Sequence, residues 1–207
     1  MWSVSRNMNH MNQSVSGFDL LSPVCLALAD GKVRRALRLV EWLDNDALRA
    51  IQPDRLGQSP ILLALAQGCP QVARRLVERG LRPDLWEASA LDLPGVVHSA
   101  AIKGPDRLNV CNRDGWAPLH LACYAGAMRV LSVLVEFGAD PRVVSCNNAL
   151  MTPLHIAVRL DDADLVSFLL SAGADPRNTD AANRTPMQLA IELPAPNAGR
   201  ALLDATA

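Results

Sequence analysis

The sequence predicts an all-α protein built as a solenoid of stacked helix pairs, because a short phrase recurs at a fixed spacing. The segment Ala117–Ala122 (APLHLA) returns as Thr152–Ala157 (TPLHIA) and, more loosely, as Thr185–Ala190 (TPMQLA). The proline of the phrase stands at positions 118, 153 and 186, so the copies are 35 and 33 residues apart. A second phrase, Gly-Ala-Asp-Pro, follows the first two copies at 138–141 and 173–176. A period of this size is typical of proteins in which each repeat packs only against its neighbours.

The unit that contains the first copy of the phrase has a local cause for each element. Gly115 supplies the positive φ of a turn, and Pro118 suits the first turn of a helix because it has no N–H to leave unpaired. Gly126 ends that inner helix. Apolar residues at helical spacing then predict an outer helix over 128–137, which Gly138 stops.

The other units repeat these signals less strictly. Looser copies of the phrase begin at Ser22 and Ser59, with Cys25 and Leu62 in place of the histidine. Further helices are expected where the same apolar spacing and flanking glycine or proline occur: 152–160, 164–171, 72–78 and 33–43, with a short closing helix over 197–204.

The segment between Pro83 and Asn112 departs from this pattern. Residues 97–101 are predicted as an inner helix, no outer helix is expected after them, and 84–95 is interpreted as an over-long connector. One central unit is therefore expected to have its outer helix reduced to a loop. Two interpretations stay open: irregular backbone that serves binding, since loops on a rigid scaffold often carry function, or a tolerated decay product.

A Thr-Pro-Leu-His-x-Ala phrase with a period near 33 residues resembles the ankyrin-repeat family. The resemblance implies about five to six helix-turn-helix units with β-hairpin fingers, one central unit being irregular. The aperiodic, Asn- and Ser-rich start of the chain is expected to be a disordered tail. The predicted organisation is a tail at 1–17 and an ankyrin-repeat domain at 18–207, with units at about 18–53, 54–83, 84–111 (irregular), 112–144, 145–177 and 178–207 (C-terminal cap).

Charge, cysteine content and hydropathy limit the partner classes. A net charge of −1 gives no broad attraction to nucleic acid, so we expect protein partners and no direct nucleic-acid contact. Five cysteines without a C-x-x-C pair argue against a disulfide framework or a zinc site and for a reducing compartment. No apolar run approaches the roughly 18 residues of a membrane span, and Pro23 interrupts the apolar stretch 20–29, so neither membrane insertion nor secretion is expected. We expect the cytoplasm, with the nucleus left open.

His120, His155 and Cys123 are the residues that could suggest catalysis. His120 and Cys123 lie three positions apart, and such a pair can act as base and nucleophile. The resemblance instead implies that both histidines are structural, bonding the threonine hydroxyl and the backbone of neighbouring fingers, and Cys123 stands where a small residue packs. We expect no enzyme activity, no catalytic residue, no metal site and no cofactor. A hidden catalytic site around His98 remains an alternative, and Asp164 is expected to cap an outer helix.

The resemblance places partner contacts on finger tips and on the concave side lined by the inner helices. Trp116 is the first candidate because a large aromatic side chain suits an interface anchor, and Tyr124 is the second. For Trp116 the alternative is packing against the adjacent finger. The other candidates share equivalent tip or inner-helix positions: Arg113, Asn148, Met151, Arg159, Leu160, Asn183 and Arg184.

The expected function is therefore a non-enzymatic protein-interaction module that acts as an adaptor, scaffold or inhibitor and is monomeric apart from its partner. One alternative is a subunit or effector that brings a target or host protein to a separate enzyme such as a ubiquitin ligase. Another is a transcriptional co-regulator that contacts DNA-binding proteins.

Overall fold

The computed structural model describes residues 24, 27, 31–42 and 59–206, and every structural statement below concerns that part of the chain. The predicted tail at 1–17 lies outside it. The described residues contain eleven α-helices and a 3₁₀ helix, Pro105–Asn109, but no strand. The helices are α1 (Val33–Trp42), α2 (Pro60–Ala66), α3 (Pro70–Glu78), α4 (Leu85–Ala90), α5 (Pro94–Lys103), α6 (Pro118–Ala125), α7 (Met128–Glu136), α8 (Pro153–Arg159), α9 (Ala163–Ser171), α10 (Pro186–Glu192) and α11 (Pro196–Thr206).

The chain divides into two compact units at the Pro83–Asp84 bond. In the first unit, α2 begins after Ser59, whose hydroxyl oxygen accepts hydrogen bonds from the amides of Ile61 (3.0 Å) and Leu62 (3.3 Å). Helix α3 packs against both α2 and α1. The outer helix predicted over 33–43 is confirmed from Val33 to Trp42, and residue 43 lies outside the described part of the chain. The one predicted over 72–78 is also confirmed, although it begins two residues earlier, at Pro70.

The second unit contains four helix pairs in two layers. The inner helices α4, α6, α8 and α10 each pack against the next one along the chain, and each also packs against its own outer helix. In the outer layer α5 packs against α7, and α9 against α11. Leucines fill the space between the layers, and those fully buried include Leu119, Leu131, Leu134, Leu154 and Leu165. The predicted all-α class and stacked helix pairs are confirmed.

The irregular repeat predicted between Pro83 and Asn112 is wrong, because α4 and α5 form a complete pair there. Residues 97–101 belong to an outer helix, α5, and the supposed connector contains the inner helix α4. Asp84, 33 residues before Ala117, accepts the Glu87 amide at 2.8 Å, while the Glu87 carboxylate accepts the Asp84 amide at 2.7 Å. This reciprocal capping box starts the helix without the threonine and histidine of the repeated phrase.

The last two outer helices differ slightly from expectation. Helix α9 is capped by Asp162, which accepts the Leu165 amide at 3.0 Å, and Asp164 lies in its first turn instead of capping it. The closing helix begins at Pro196 and continues to Thr206, so it is longer than predicted. Proline at the first helical position loses no bond, and for that reason it starts this helix instead of breaking the chain.

Candidate partner-binding surface

Three fingers connect the helix pairs of the second unit: finger 1 (residues 110–117), finger 2 (143–152) and finger 3 (178–185). In fingers 1 and 3, one side-chain oxygen closes the turn by accepting two backbone amides. Asn112 accepts those of Asp114 (3.1 Å) and Trp116 (2.9 Å). Asp180 accepts those of Ala182 (2.9 Å) and Arg184 (3.0 Å). The fingers are thus closed turns, and the expected β-hairpin strands are not found in the described residues.

Finger 2 is two residues longer and lies directly against finger 1. The Cys146 amide donates to the Gly115 carbonyl at 2.8 Å, and the Asn147 side-chain amide donates to the Asp114 carbonyl at 3.2 Å. A disulfide joins Cys111 to Cys146. The expectation of no disulfide is therefore wrong at this pair, whose contact depends on how the fingers stack and not on a local sequence motif. The expected reducing compartment is a separate matter and stays a prediction.

Both histidines of the repeated phrase hold one finger to the next. His120 Nε2 donates to the Met151 carbonyl at 2.9 Å, and its Nδ1 accepts the Ala117 amide at 3.2 Å. His155 does the same with the Arg184 carbonyl (3.0 Å) and the Thr152 hydroxyl (2.8 Å). A carbonyl only accepts and a backbone amide only donates, so His120 is neutral with its proton on Nε2. The structural role that the resemblance implies is confirmed in full for His155. His120 bonds the neighbouring finger in the same way but has no threonine hydroxyl to bond, because residue 117 is alanine.

The arrangement gives no support to catalysis at the residues considered. Both ring nitrogens of His120 are used by backbone groups, which leaves none for Cys123. Burial raises the pKa of the Cys123 thiol, so the nucleophilic thiolate is disfavoured. His98 lies exposed on the outer helix α5, edge-on to Phe137 at 5.0 Å between ring centroids. Within the described part of the chain, no three His, Cys, Asp or Glu residues are grouped to hold a metal ion.

Trp116 is not an exposed anchor: only 5% of it is accessible. Its ring packs edge-on to Tyr124 (5.2 Å between centroids) and to His120 (5.6 Å). The exposure on which its prediction as a partner contact depended is absent, and it serves to pack finger 1 onto helix α6. Tyr124 is half-buried at the end of that helix, and burial raises its pKa.

The remaining candidates fall into three groups. Arg113, Asn148 and Asn183 are exposed at the tips of fingers 1, 2 and 3. Met151 is 7% exposed, and its carbonyl is engaged by His120, so it is a structural residue of finger 2. Arg159 and Leu160 are half-buried at the end of α8.

Arg184, the last candidate, is held by a carboxylate of its own finger. Its guanidinium bonds the buried Asp180 at 2.7 and 3.0 Å and Glu192 at 2.8 Å. Burial opposes ionisation of Asp180, but hydrogen bonds from Arg184 and from the finger amides outweigh it and lower the pKa of Asp180. Arg184 therefore stabilises finger 3, and only part of its side chain faces solvent.

Leu150 is a tip residue that sequence reasoning missed. It is 47% exposed and has a backbone φ of 47°, in the left-handed region that leucine rarely adopts. Gly115 and Asn183 occupy the equivalent position of fingers 1 and 3, with φ of 79° and 61°. Counting 35 residues on from Gly115 would have identified it, because glycine there already signals positive φ.

Stacked helix pairs whose fingers are held by buried histidines define an α-solenoid repeat protein. Residues 85–180 match the sequence model of the family described as "Ankyrin repeats (3 copies)", and this part of the chain belongs to the ankyrin-repeat family. The match includes α4 and α5, in agreement with the complete helix pair there. Ankyrin repeats generally mediate protein–protein interaction.

A curated relative is similar to part of the chain in sequence, and a solved structure is similar to it in fold. Over 137 residues the chain is 30% identical to "Ankyrin repeat and SAM domain-containing protein 6" of Danio rerio. This match covers 58% of this chain but only 17% of that protein. The crystal structure of the ankyrin repeat domain of Bcl-3, described as a unique member of the IkappaB protein family, is similar with a TM-score of 0.56. That match covers 90% of this chain and 86% of the other at 24% identity, and it shows the fold alone.

Proposed function

We propose that this chain is a non-enzymatic interaction module that binds a partner protein through its finger tips and the half-buried ends of its inner helices. Leu150 is the observation that carries the proposal. A left-handed backbone costs a residue with a side chain about 1–2 kcal/mol, and a leucine that is 47% exposed regains at most part of this by packing inside the protein. A partner that covers the side chain would supply the missing apolar contact.

The neighbouring side chains suit a protein partner. Arg113, Asn148 and Asn183 stand at the three tips, and Tyr124 and Arg159 lie one repeat apart at the ends of α6 and α8. The candidate surface thus combines an exposed leucine at one tip with arginine, asparagine and tyrosine side chains that can hydrogen-bond.

The binding test uses Leu150→Asn, because asparagine occupies the same left-handed position in finger 3 and accepts that backbone readily. Truncating Trp116 would be a poor test, since its loss also removes the packing against Tyr124 and His120. The matched control is Ile102→Ala, which removes an apolar side chain, 62% exposed, from the outer helix α5.

The immobilised full chain would be used to capture proteins from source-cell lysate, and the affinity of each purified partner would then be measured. We expect wild type and Ile102→Ala to bind equally, and Leu150→Asn to bind at least about fivefold more weakly, because burying half a leucine contributes about 1 kcal/mol. Equal binding by Leu150→Asn would contradict the proposed surface.

We also propose that the chain acts as an adaptor, scaffold or inhibitor and that it is monomeric apart from its partner. The proposed partners are proteins, without direct contact to nucleic acid or to a membrane. In the part of the chain that the structure describes, no helix has both the length and the apolar character needed to cross a membrane. We propose a location in the cytoplasm or nucleus. Capture of ligase subunits that depends on Leu150 would favour the alternative of a recruiting subunit.

A further inference from the structure

The disulfide between fingers 1 and 2 spans one repeat and lies beside the proposed binding surface. Cys111 and Cys146 are 35 residues apart in sequence and 6.2 Å apart between Cα atoms, so the bond encloses the whole helix pair α6–α7. Arg113 and Asn148 each lie two residues from one of its cysteines. The covalent link therefore fixes the separation of the two tips that carry proposed contacts.

The two cysteines of this bond are less buried than the free cysteines of the described chain. Cys146 is an exposed residue and Cys111 is half-buried, whereas the free cysteines Cys69 and Cys123 are both buried. Cys146 is therefore the cysteine of the bond that a dithiol in solution would approach. Disulfides in reducing compartments are usually transient or redox-sensing, and accessible ones are the labile class.

Different contacts hold the base and the tip of finger 2, and the disulfide acts only at the tip. The base of finger 2 is fixed by His120 through a buried hydrogen bond to the Met151 carbonyl. The tip is held to finger 1 by the Cys146 amide, the Asn147 side chain and the disulfide. Loss of the disulfide removes the covalent one of these three tip contacts and leaves the base intact, so the effect is local.

We propose that Cys111–Cys146 is a thiol–disulfide exchange site, oxidised in the tip-ordered state of fingers 1 and 2, and that its reduction by a dithiol loosens the tip of finger 2. A thiolate of the reductant attacks Cys146 Sγ, and Cys111 leaves as a thiolate and takes up a proton. The second thiol of the reductant then displaces Cys146, so the protein gains two thiols and the reductant becomes a disulfide. Regulation of partner binding by this redox state rests on the proposed function. The exchange site and the change in the order of the finger 2 tip are independent of the proposed function.

The test needs no partner, so its failure is distinct from a failure of the proposed function. The full chain, oxidised with excess oxidised dithiothreitol, would be treated with 5 mM reduced dithiothreitol without denaturant. Maleimide labelling with peptide mapping follows the thiols, and amide hydrogen exchange follows the fingers. The variant Cys111→Ala/Cys146→Ala imitates the reduced state, and Cys69→Ala/Cys123→Ala is the matched control that keeps the bond.

We expect reduction within minutes, with exchange at the amides of Cys146, Ala149 and Leu150 at least fivefold faster. The amides of Ala182 and Arg184, which bond Asp180 within finger 3, and the far-UV circular dichroism should not change. The Ala181 amide donates to the Ala149 carbonyl of finger 2 at 3.0 Å, so its exchange should follow the tip of finger 2. The Cys111→Ala/Cys146→Ala variant should show the fast exchange from the start and ignore the dithiol, whereas Cys69→Ala/Cys123→Ala should respond like wild type.

Any one of four results would overturn the inference. No cross-linked peptide after oxidation would mean that the bond does not form. If reduction requires denaturant, the bond is not accessible to a dithiol in the folded chain. If the exchange rates of the finger 2 tip amides change by less than twofold on reduction, the bond does not order the tip. Equally faster exchange at the amides of Ala182 and Arg184, which bond only Asp180 of finger 3, would make the bond a general structural crosslink.

Discussion

Replacing His120 with leucine should destabilise the second unit by about 2–6 kcal/mol. The imidazole serves the Ala117 amide and the Met151 carbonyl, and it is completely buried. Leucine fills a similar volume but offers no hydrogen bond. Each backbone group would then be buried without a partner, at about 1–3 kcal/mol apiece.

Glutamine at the same position separates hydrogen bonding from packing. In the last repeat the Gln188 side-chain oxygen accepts the Thr185 amide at 2.9 Å, so glutamine can make the bond that starts an inner helix. Its side-chain NH₂ can also donate toward Met151. His120→Gln should therefore cost about 1 kcal/mol, since at least one of the two buried backbone groups keeps a partner.

The assay is urea unfolding at pH 7 followed by circular dichroism, with amide exchange in finger 2 as a local readout because repeat arrays need not unfold in one step. Gln188→Leu is the control: Gln188 is exposed, so water replaces the lost bond and less than about 1 kcal/mol should be lost. If His120→Leu costs no more than His120→Gln, the two buried hydrogen bonds are not what this histidine contributes.

The pH dependence of stability should carry the signature of the same residue. Burial lowers the pKa of His120 to about 4, so the unfolded chain takes up the proton first as pH falls below about 6.5. The contribution of neutral His120 to stability is therefore complete above that pH and is lost progressively toward pH 4. Between pH 7 and pH 5 the free energy of unfolding of wild type should fall by about 2 kcal/mol more than that of His120→Gln. Urea unfolding at both pH values measures this difference, and an equal fall in the two proteins would contradict the prediction. Among the glycines, Gly115→Ala should cost about 2–4 kcal/mol, because its Cβ would meet the Asn147 amide nitrogen at 2.5 Å, whereas Gly138→Ala, with positive φ but no atom within 4 Å, should cost about 1. Thermal melts of both variants measure the difference, and equal costs would mean that the fingers do not approach as described.

Much of the fold could be predicted from the sequence because its helix ends are set locally. Proline starts α6 and α8. Gly138 marks the end of α7, and for that reason the predicted end of this helix lies only one residue from the observed one. Such signals act through a single residue's own backbone preference and need no knowledge of the neighbours. The α4–α5 pair was missed for the opposite reason: an aspartate and a glutamate make the same two capping bonds with side chains that do not match the phrase.

The candidate surface was predicted less well because exposure and pairing depend on how the fingers stack. Trp116 follows a turn glycine in sequence, yet its ring is covered by Tyr124 and His120. Cys111 and Cys146 meet only because finger 2 folds against finger 1. No local pattern contains these contacts, and the sequence alone therefore predicted which residues stand in the fingers but not which of them face solvent.

The left-handed position shared by Gly115, Leu150 and Asn183 gives a last test of whether Leu150 is kept for the fold. Glycine is required at 115 because finger 2 approaches it, and asparagine tolerates the conformation at 183. Leucine at 150 has neither advantage. Leu150→Asn should therefore raise the free energy of unfolding by about 0.5–1 kcal/mol, measured in urea beside wild type. A loss of more than about 1 kcal/mol would show that Leu150 stabilises the finger by packing, and the argument that its side chain is there for a partner would fail.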